Sequence, residues 1–212
     1  MSARVGVDEA GKGPVLGSMF AAAVRGDPAA MPAAVEDSKA LDHATRLELA
    51  PAIRERATAV TVVEVPVERI DGEHDMNTLT VEAHAEALAA VADAEDRAVH
   101  DAADTNAVRF ERRVAEACPI DCAVRAHHGA DTDDPLVAAA SILAKVRREA
   151  HVERLNEEYG ECGSGYPSDP TTRAFLESFV EANEALPDCA RASWQTSRDA
   201  LAAVEQVDLG AF

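Results

Sequence analysis

Lysine is nearly absent from this chain. Lys12, Lys39 and Lys145 are the three in 212 residues, against seventeen arginines and thirty-nine acids. Aromatic residues are scarce as well, at 4%. No apolar run reaches membrane-spanning length before an Arg, Asp or Pro breaks it, which excludes a transmembrane segment. The start carries no signal-peptide pattern, so a soluble cytoplasmic protein is expected. Four cysteines, Cys118, Cys122, Cys162 and Cys189, form no CxxC pair. That spacing excludes a zinc ribbon and points to isolated reduced thiols.

The formal charge is −19. By itself it argues against a nucleic-acid partner, because grip on phosphate comes from Lys and Arg. The acids, however, are spread along the whole chain and form no tail. Dispersed acid with little lysine resembles the surface of a protein from a salt-loving organism, where salt screens self-repulsion. The acidity then describes the solvent, and three lysines retained in such a chain become individual candidates for function.

The most informative stretch is Gly6-Val7-Asp8-Glu9-Ala10-Gly11-Lys12-Gly13-Pro14. Two adjacent carboxylates end a β-reading run and precede a Gly-Lys-Gly turn. Carboxylates so placed repel each other and phosphate unless divalent cations lie between them. Glycines let backbone N–H groups approach a ligand. The stretch alone leaves two readings open: a metal-and-phosphate site, or a strand ending in solvent. Gly6-x-x-x-x-Gly11-Lys12 also imitates a P-loop, but Gly13 stands where the magnesium-binding hydroxyl belongs. Pro14 and the apolar run after it read as a turn into a second strand, and Asp8 and Glu9 would carry negative charge into a phosphate cradle.

Strands are expected at 3–9, 18–25, 58–65, 98–104 and 121–126, and helices at 43–57, 78–93, 107–117, 135–158 and 196–205. Leu47, Leu49 and Ile53 form the expected apolar side of the first helix. Residues 66–77 read as loop-rich, and Asp133-Asp134-Pro135 and Asp169-Pro170 as helix starts. Alternation implies an α/β domain with a central mixed sheet, whose sites gather at strand ends. Asp104, Asp133 and Asp134 are read as solvated or capping; the pair His127 and His128 is either merely exposed or able to tune a metal or phosphate.

Six segments then fall in register: Asp8 to Pro14, Asp37-Ser38-Lys39, His100-Asp101-Ala102-Ala103-Asp104, Ala130-Asp131, Ser141 to Val146, and Gly163-Ser164-Gly165-Tyr166-Pro167-Ser168-Asp169. Together, over nearly the whole chain, they resemble type 2 ribonuclease H (RNase HII), the archaeal branch in particular. The resemblance implies an RNase H-like fold, with a central mixed β-sheet flanked by helices and a helical C-terminal region. The domains would be 1–160 (catalytic), 161–205 (substrate-binding) and 206–212 (a tail). It implies an endonuclease that cuts the RNA of RNA/DNA hybrids and nicks duplex DNA at embedded ribonucleotides, leaving 3′-hydroxyl and 5′-phosphate ends. The family's four metal-binding acids match Asp8, Glu9, Asp101 and Asp131. Its glycine turn matches Gly11, Lys12 and Gly13, and its junction-sensing tyrosine matches Tyr166.

The chemistry is coherent with that set. In-line hydrolysis of a phosphodiester by two divalent ions roughly 4 Å apart needs oxygen ligands suited to Mg²⁺ or Mn²⁺. Neighbours in a regular strand face opposite ways, so Asp8 and Glu9 both serve only if the strand turns at Glu9. Gly11 and Gly13 can approach the 2′-hydroxyl, Lys12, Lys39 and Lys145 can touch phosphates, and Tyr166 can stack on a sugar. The alternative for Tyr166 is a core plug. Two positions depart from the family: Lys12 replaces an arginine, and Gly129 replaces a basic residue. The tail resembles the peptide by which replication proteins dock on the sliding clamp, PCNA, with Gln206, Leu209 and Phe212 at the matching positions. A monomer is expected.

Overall fold

The computed structural model describes residues 3–37 and 41–209, without the side chains of 36–37 and 205–209. Lys39 and Phe212 therefore lie outside the described residues, as do the side chains of Gln206 and Leu209.

The chain divides into two compact units. The first takes in Met1–Lys12, Met19–Val65 and Asp75–Glu149; the second takes in Gly13–Ser18, Pro66–His74 and Ala150–Phe212. The elements in order are β1 Arg4–Ala10, β2 Met19–Gly26, α1 His43–Arg56, β3 Ala59–Val65, α2 Val67–Ile70, α3 Met76–Ala89, β4 Arg97–Asp101, α4 Ala107–Ala117, β5 Ala123–His127, α5 Ala130–Asp133, α6 Pro135–Tyr159, α7 Pro170–Asn183 and α8 Gln195–Leu209. Single 3-10 turns occupy Pro28–Ala30 and Ala33–Asp37.

The first unit is built on a five-stranded mixed sheet in the order β3-β2-β1-β4-β5. β1 pairs antiparallel with β2 and parallel with β4. β4 pairs parallel with β5, and β2 antiparallel with β3. The expected α/β architecture with a central mixed sheet is therefore present. Strand β2 is buried almost end to end, and Ala21, Ala22 and Ala23 keep its faces thin. On one side α6 presents Ala138, Ala139, Ala140, Leu143 and Ala144 to the core. Gly6 is what admits it: a Cβ there would fall 2.2 Å from Leu136 C and Val137 N. Helix α3 packs on β1, β2 and β3. Phe110 and Val114 of α4 meet Val81 of α3 in a smaller cluster.

Part of the acid surplus caps helices. Asp42 accepts Thr45 N–H at 2.8 Å, and Asp75 accepts Asn77 and Thr78 N–H at 2.8 and 3.0 Å. Each satisfies backbone donors that a helix start leaves unpaired and suits the positive end of its dipole. Asp134 accepts Leu136 N–H at 2.9 Å and also pairs with Arg4. It is buried and caps, one of the two roles expected of it. Asp104 is likewise claimed, by Arg109 and by Asn106 N–H.

One further expectation needs correction. Leu47 is 45% exposed, whereas Ile53 is buried and Leu49 packs on the core as expected, with Ala50 beside them. The loop-rich segment 66–77 includes the short helix α2.

The second unit holds most of the aromatic residues. Tyr159, Phe175 and Phe179 meet with ring centroids 5.9–6.2 Å apart. Beside them Val15, Leu16, Leu155, Cys162, Leu176, Val180 and Cys189 form a core. Asp169 caps α7 with Pro170 in the first turn, as expected. All four cysteines are free, as the spacing implied. Among the described residues no helix is long and apolar enough to cross a membrane.

Candidate active site

Three acids from three elements converge. Asp8 lies on β1, Asp101 ends β4, and Asp131 lies on α5. One carboxylate oxygen from each comes within 4.8 Å of the others. The sheet explains the first two: the parallel register sets Val7 beside His100, so the next residues, Asp8 and Asp101, fall side by side on one face. The third depends on a left-handed residue. Gly129, at φ +72°, caps α5 and turns the chain from β5 into it. Gly129 N–H and Ala130 N–H donate to Asp101 Oδ1 at 2.7 and 3.2 Å. The glycine that departs from the family's basic residue thus supplies a backbone contact to the acid itself.

The electrostatics are those of crowded, half-dry carboxylates. Asp8 and Asp131 are only 6% and 4% exposed. Burial, then the charges of Glu9 and Asp101, push the Asp8 carboxyl well above its ordinary range, while Glu9 N–H, donating to Oδ1 at 2.8 Å, holds it back. Burial and Asp131 push Asp101 up, against the two N–H donors. Unrelieved like charge this close is costly, and hard oxygen donors fit a divalent cation such as Mg²⁺ or Mn²⁺.

Glu9 is held differently. Regular pairing continues to Ala10 opposite Phe20, so β1 does not turn at Glu9 and its side chain leaves by the other face. There His84 Nε2 donates to Glu9 Oε2 at 2.8 Å. The Nδ1 atoms of His84 and His100 lie 3.1 Å apart, and both rings are fully buried. Burial and His84 hold His100 well below the ordinary histidine range. Glu9 nevertheless stays near enough to raise both Asp8 and Asp101. His84 did not stand out in the sequence, because an isolated His in an alanine-rich helix carries no spacing signal; His100 entered only as part of the segment running to Asp104.

Of the other expected residues, Lys12 Nζ donates to Asn77 Oδ1 at 2.9 Å and to Ala103 O at 2.7 Å. Gly11 has φ +89°. The segment after it leads into β2, a strand where a P-loop requires a helix, which disposes of the P-loop reading. Lys145 is half-buried on α6. Tyr166 is 38% exposed, so it is not a core plug. A Cβ on Gly13 would lie 3.8 Å from Tyr166 Cε1. His127 is about half exposed and 3.7 Å from Asp133, and His128 lies 3.2 Å from Ala102 O.

Residues 5–197 match the ribonuclease HII family. The chain belongs to that family. A ribonuclease HII of the halophilic archaeon Haloarcula marismortui is 60% identical over 210 residues, spanning 99% of this chain and all of the relative. The solved ribonuclease H2 of Pyrococcus horikoshii superposes with a TM-score of 0.89 at 33% identity, over 96% of this chain and 99% of that one. The ribonuclease HII in the PCNA:RNase HII complex from Archaeoglobus fulgidus superposes at 0.83 with 37% identity, over 93% and 96%. The RNase H-like fold and ribonuclease H enzyme class follow, and the halophilic origin expected from the acidic, lysine-poor composition agrees with relatives from halophilic archaea.

Proposed function

We propose that this ribonuclease HII hydrolyses RNA in RNA/DNA hybrids, and nicks duplex DNA at embedded ribonucleotides, with two divalent ions held by Asp8, Asp101 and Asp131 and with Glu9 adding its negative charge from the other face of β1. The observation that carries this reading is the meeting of Asp8, Asp101 and Asp131 within 4.8 Å in a buried setting. When bound, Mg²⁺ or Mn²⁺ would activate the attacking water and relieve charge on the leaving oxygen, giving 3′-hydroxyl and 5′-phosphate ends. The remaining roles belong to the chain. Gly129 and Ala130 N–H groups fix the Asp101 carboxylate, and His84 fixes Glu9. Gly11 and Gly13 offer backbone groups to the 2′-hydroxyl, and exposed Tyr166 stacks on the sugar. Lys12, Lys39 and Lys145 take phosphates as point charges. Asp8→Ala and Asp101→Ala should fold normally and lose cleavage of a duplex carrying one ribonucleotide. Full activity of either, with both metals at high salt, would refute the assignment.

Docking on a sliding clamp through Gln206, Leu209 and Phe212 is proposed alongside. The PCNA complex of the Archaeoglobus relative supports it, as does the spacing: α8 extends to Leu209, and positions three apart share a helix face. Deleting residues 206–212 should abolish clamp binding without altering cleavage of short duplexes. Unchanged affinity would dismiss the tail's role.

A further inference from the structure

Within the second unit, the short segment Gly13–Ser18 is gripped from both sides. On one side Gly165 O accepts N–H from Val15 at 2.8 Å and from Leu16 at 3.2 Å. On the other, Gly17 N–H donates to Cys189 O at 2.7 Å and Arg191 N–H donates to Val15 O at 2.8 Å. Two side chains complete the second grip. Arg191 is fully buried and its Nε donates to Gly17 O at 2.8 Å. The Trp194 indole Nε1 donates to Gly13 O at 3.3 Å. The two are joined, because the Arg191 guanidinium carbon stands 4.8 Å from the centre of the Trp194 ring.

A buried arginine needs an unusual return to offset its desolvation, and a stacked, planar guanidinium is the form that loses least. Arg191 gains a backbone partner on the strip, Gly17 O, and an aromatic one in Trp194, which itself reaches Gly13. The turn carrying them is tied down in its own right: Asp71 accepts Ala192 N–H, Ser193 N–H and the Ser193 hydroxyl at 2.7, 2.9 and 2.5 Å. The Tyr166 loop is braced too, with Ser164 N–H and hydroxyl on Asp169 Oδ2, and Gly165 N–H on Thr172 Oγ1 at 2.9 Å. The consequence is a fixed spacing between the Gly13 backbone and the Tyr166 ring, such that a Cβ built on Gly13 would lie 3.8 Å from Tyr166 Cε1.

We infer that Trp194 and Arg191 are positioning residues that set the Gly13 backbone against Tyr166, and so govern how the enzyme engages the ribose. The inference rests on the proposed sugar contact of Gly13 and Tyr166. Neither residue touches substrate in this account; each acts through the strip it holds. Displacing such a pair by a fraction of an ångström lowers turnover without unfolding the protein.

The test is a double-mutant cycle on full-length protein, read as kcat/KM on a duplex bearing one ribonucleotide, with thermal unfolding in parallel. Trp194→Phe removes the donor to Gly13 O and keeps an aromatic face on Arg191. It should cost about tenfold or more in kcat/KM with little change in unfolding midpoint. Asp71→Ala, which loosens the 192–193 turn and spares both rings, should cost less in the same direction. In a Tyr166→Ala background both losses should disappear, because the partner being positioned is gone. Losses that persist at full size in that background, or no loss from either variant, overturn the inference. If Tyr166→Ala is impaired and the other two are not, this inference alone fails. If Tyr166→Ala is as active as the parent, the sugar contact fails and the inference falls with it.

Discussion

The backbone N–H of Gly129 donates to Asp101 Oδ1 at 2.7 Å, from a residue at φ +72°. One left-handed glycine therefore both aims an acid and swings Asp131 toward it. A β-branched residue at this φ is strained by about 1–2 kcal/mol. Gly129→Val should lose roughly that much stability and much of its activity, whereas Gly129→Asn, whose side chain tolerates the left-handed region, should retain more of both. Thermal unfolding and cleavage rates on the pair decide it; equal behaviour of the two variants would count against the role given to this turn.

Asp8 and Asp101 set a pH dependence whose sign is fixed. Their folded values are raised above the ordinary 3.8, so the protonated forms are the ones the fold favours. Their contribution is complete below that ordinary value and is lost as pH climbs through the raised values. At neutral pH the metal-free protein bears the cost, at about 1.4 kcal/mol for each unit of displacement. Asp8→Asn should then melt higher than the parent in chelator at neutral pH, with the advantage shrinking in acid. A lower midpoint at neutral pH would contradict the crowding argument.

Added Mg²⁺ or Mn²⁺ should reverse that order. A ligand at 100 times its dissociation constant stabilises by about 2.7 kcal/mol. The parent should gain midpoint with metal, and Asp101→Asn should gain much less. Calorimetry with and without metal checks this apart from any activity; equal gains would move the ion elsewhere.

Gly13→Ala separates fold from recognition. The added Cβ would meet only Tyr166 Cε1, at an ordinary 3.8 Å. Stability should hardly change, while KM for the ribonucleotide duplex rises severalfold because a methyl now stands where the sugar approaches. Gly6→Ala is the counter-case. Its Cβ would sit 2.2 Å from the backbone of Leu136 and Val137, where nothing flexible can yield. A loss of about 3 kcal/mol or more is expected by equilibrium unfolding.

Lys12 offers a fifth comparison. Its ammonium bonds Asn77 and Ala103, and arginine would add a planar fork toward phosphate. Lys12→Ala should raise KM and flatten the salt dependence by about one unit of slope, with Lys12→Arg binding at least as well as the parent. A salt series on the three proteins reads it directly.

Much of this was already written along the chain. Caps such as Asp134 and Asp169, the alternation that made β1 and β2 strands, and the acids Asp8 and Asp101 at strand ends depend on neighbours a few residues away. Such local chemistry is fixed before any folding, which is why the order of elements and the family could be read early. Leu47 was misassigned because helical periodicity says which residues share a face, not how much of that face a neighbour covers. Other relationships had no local trace. Glu9 meeting His84, Asp131 arriving through the four residues of α5, and Arg191 buried with its Nε on Gly17 O each join positions that only packing brings together. The sequence by itself chose the acids and the strands that carry them; the tertiary structure chose their neighbours, because a carboxylate's charge and reach depend on what long-range folding sets within a few ångströms of it.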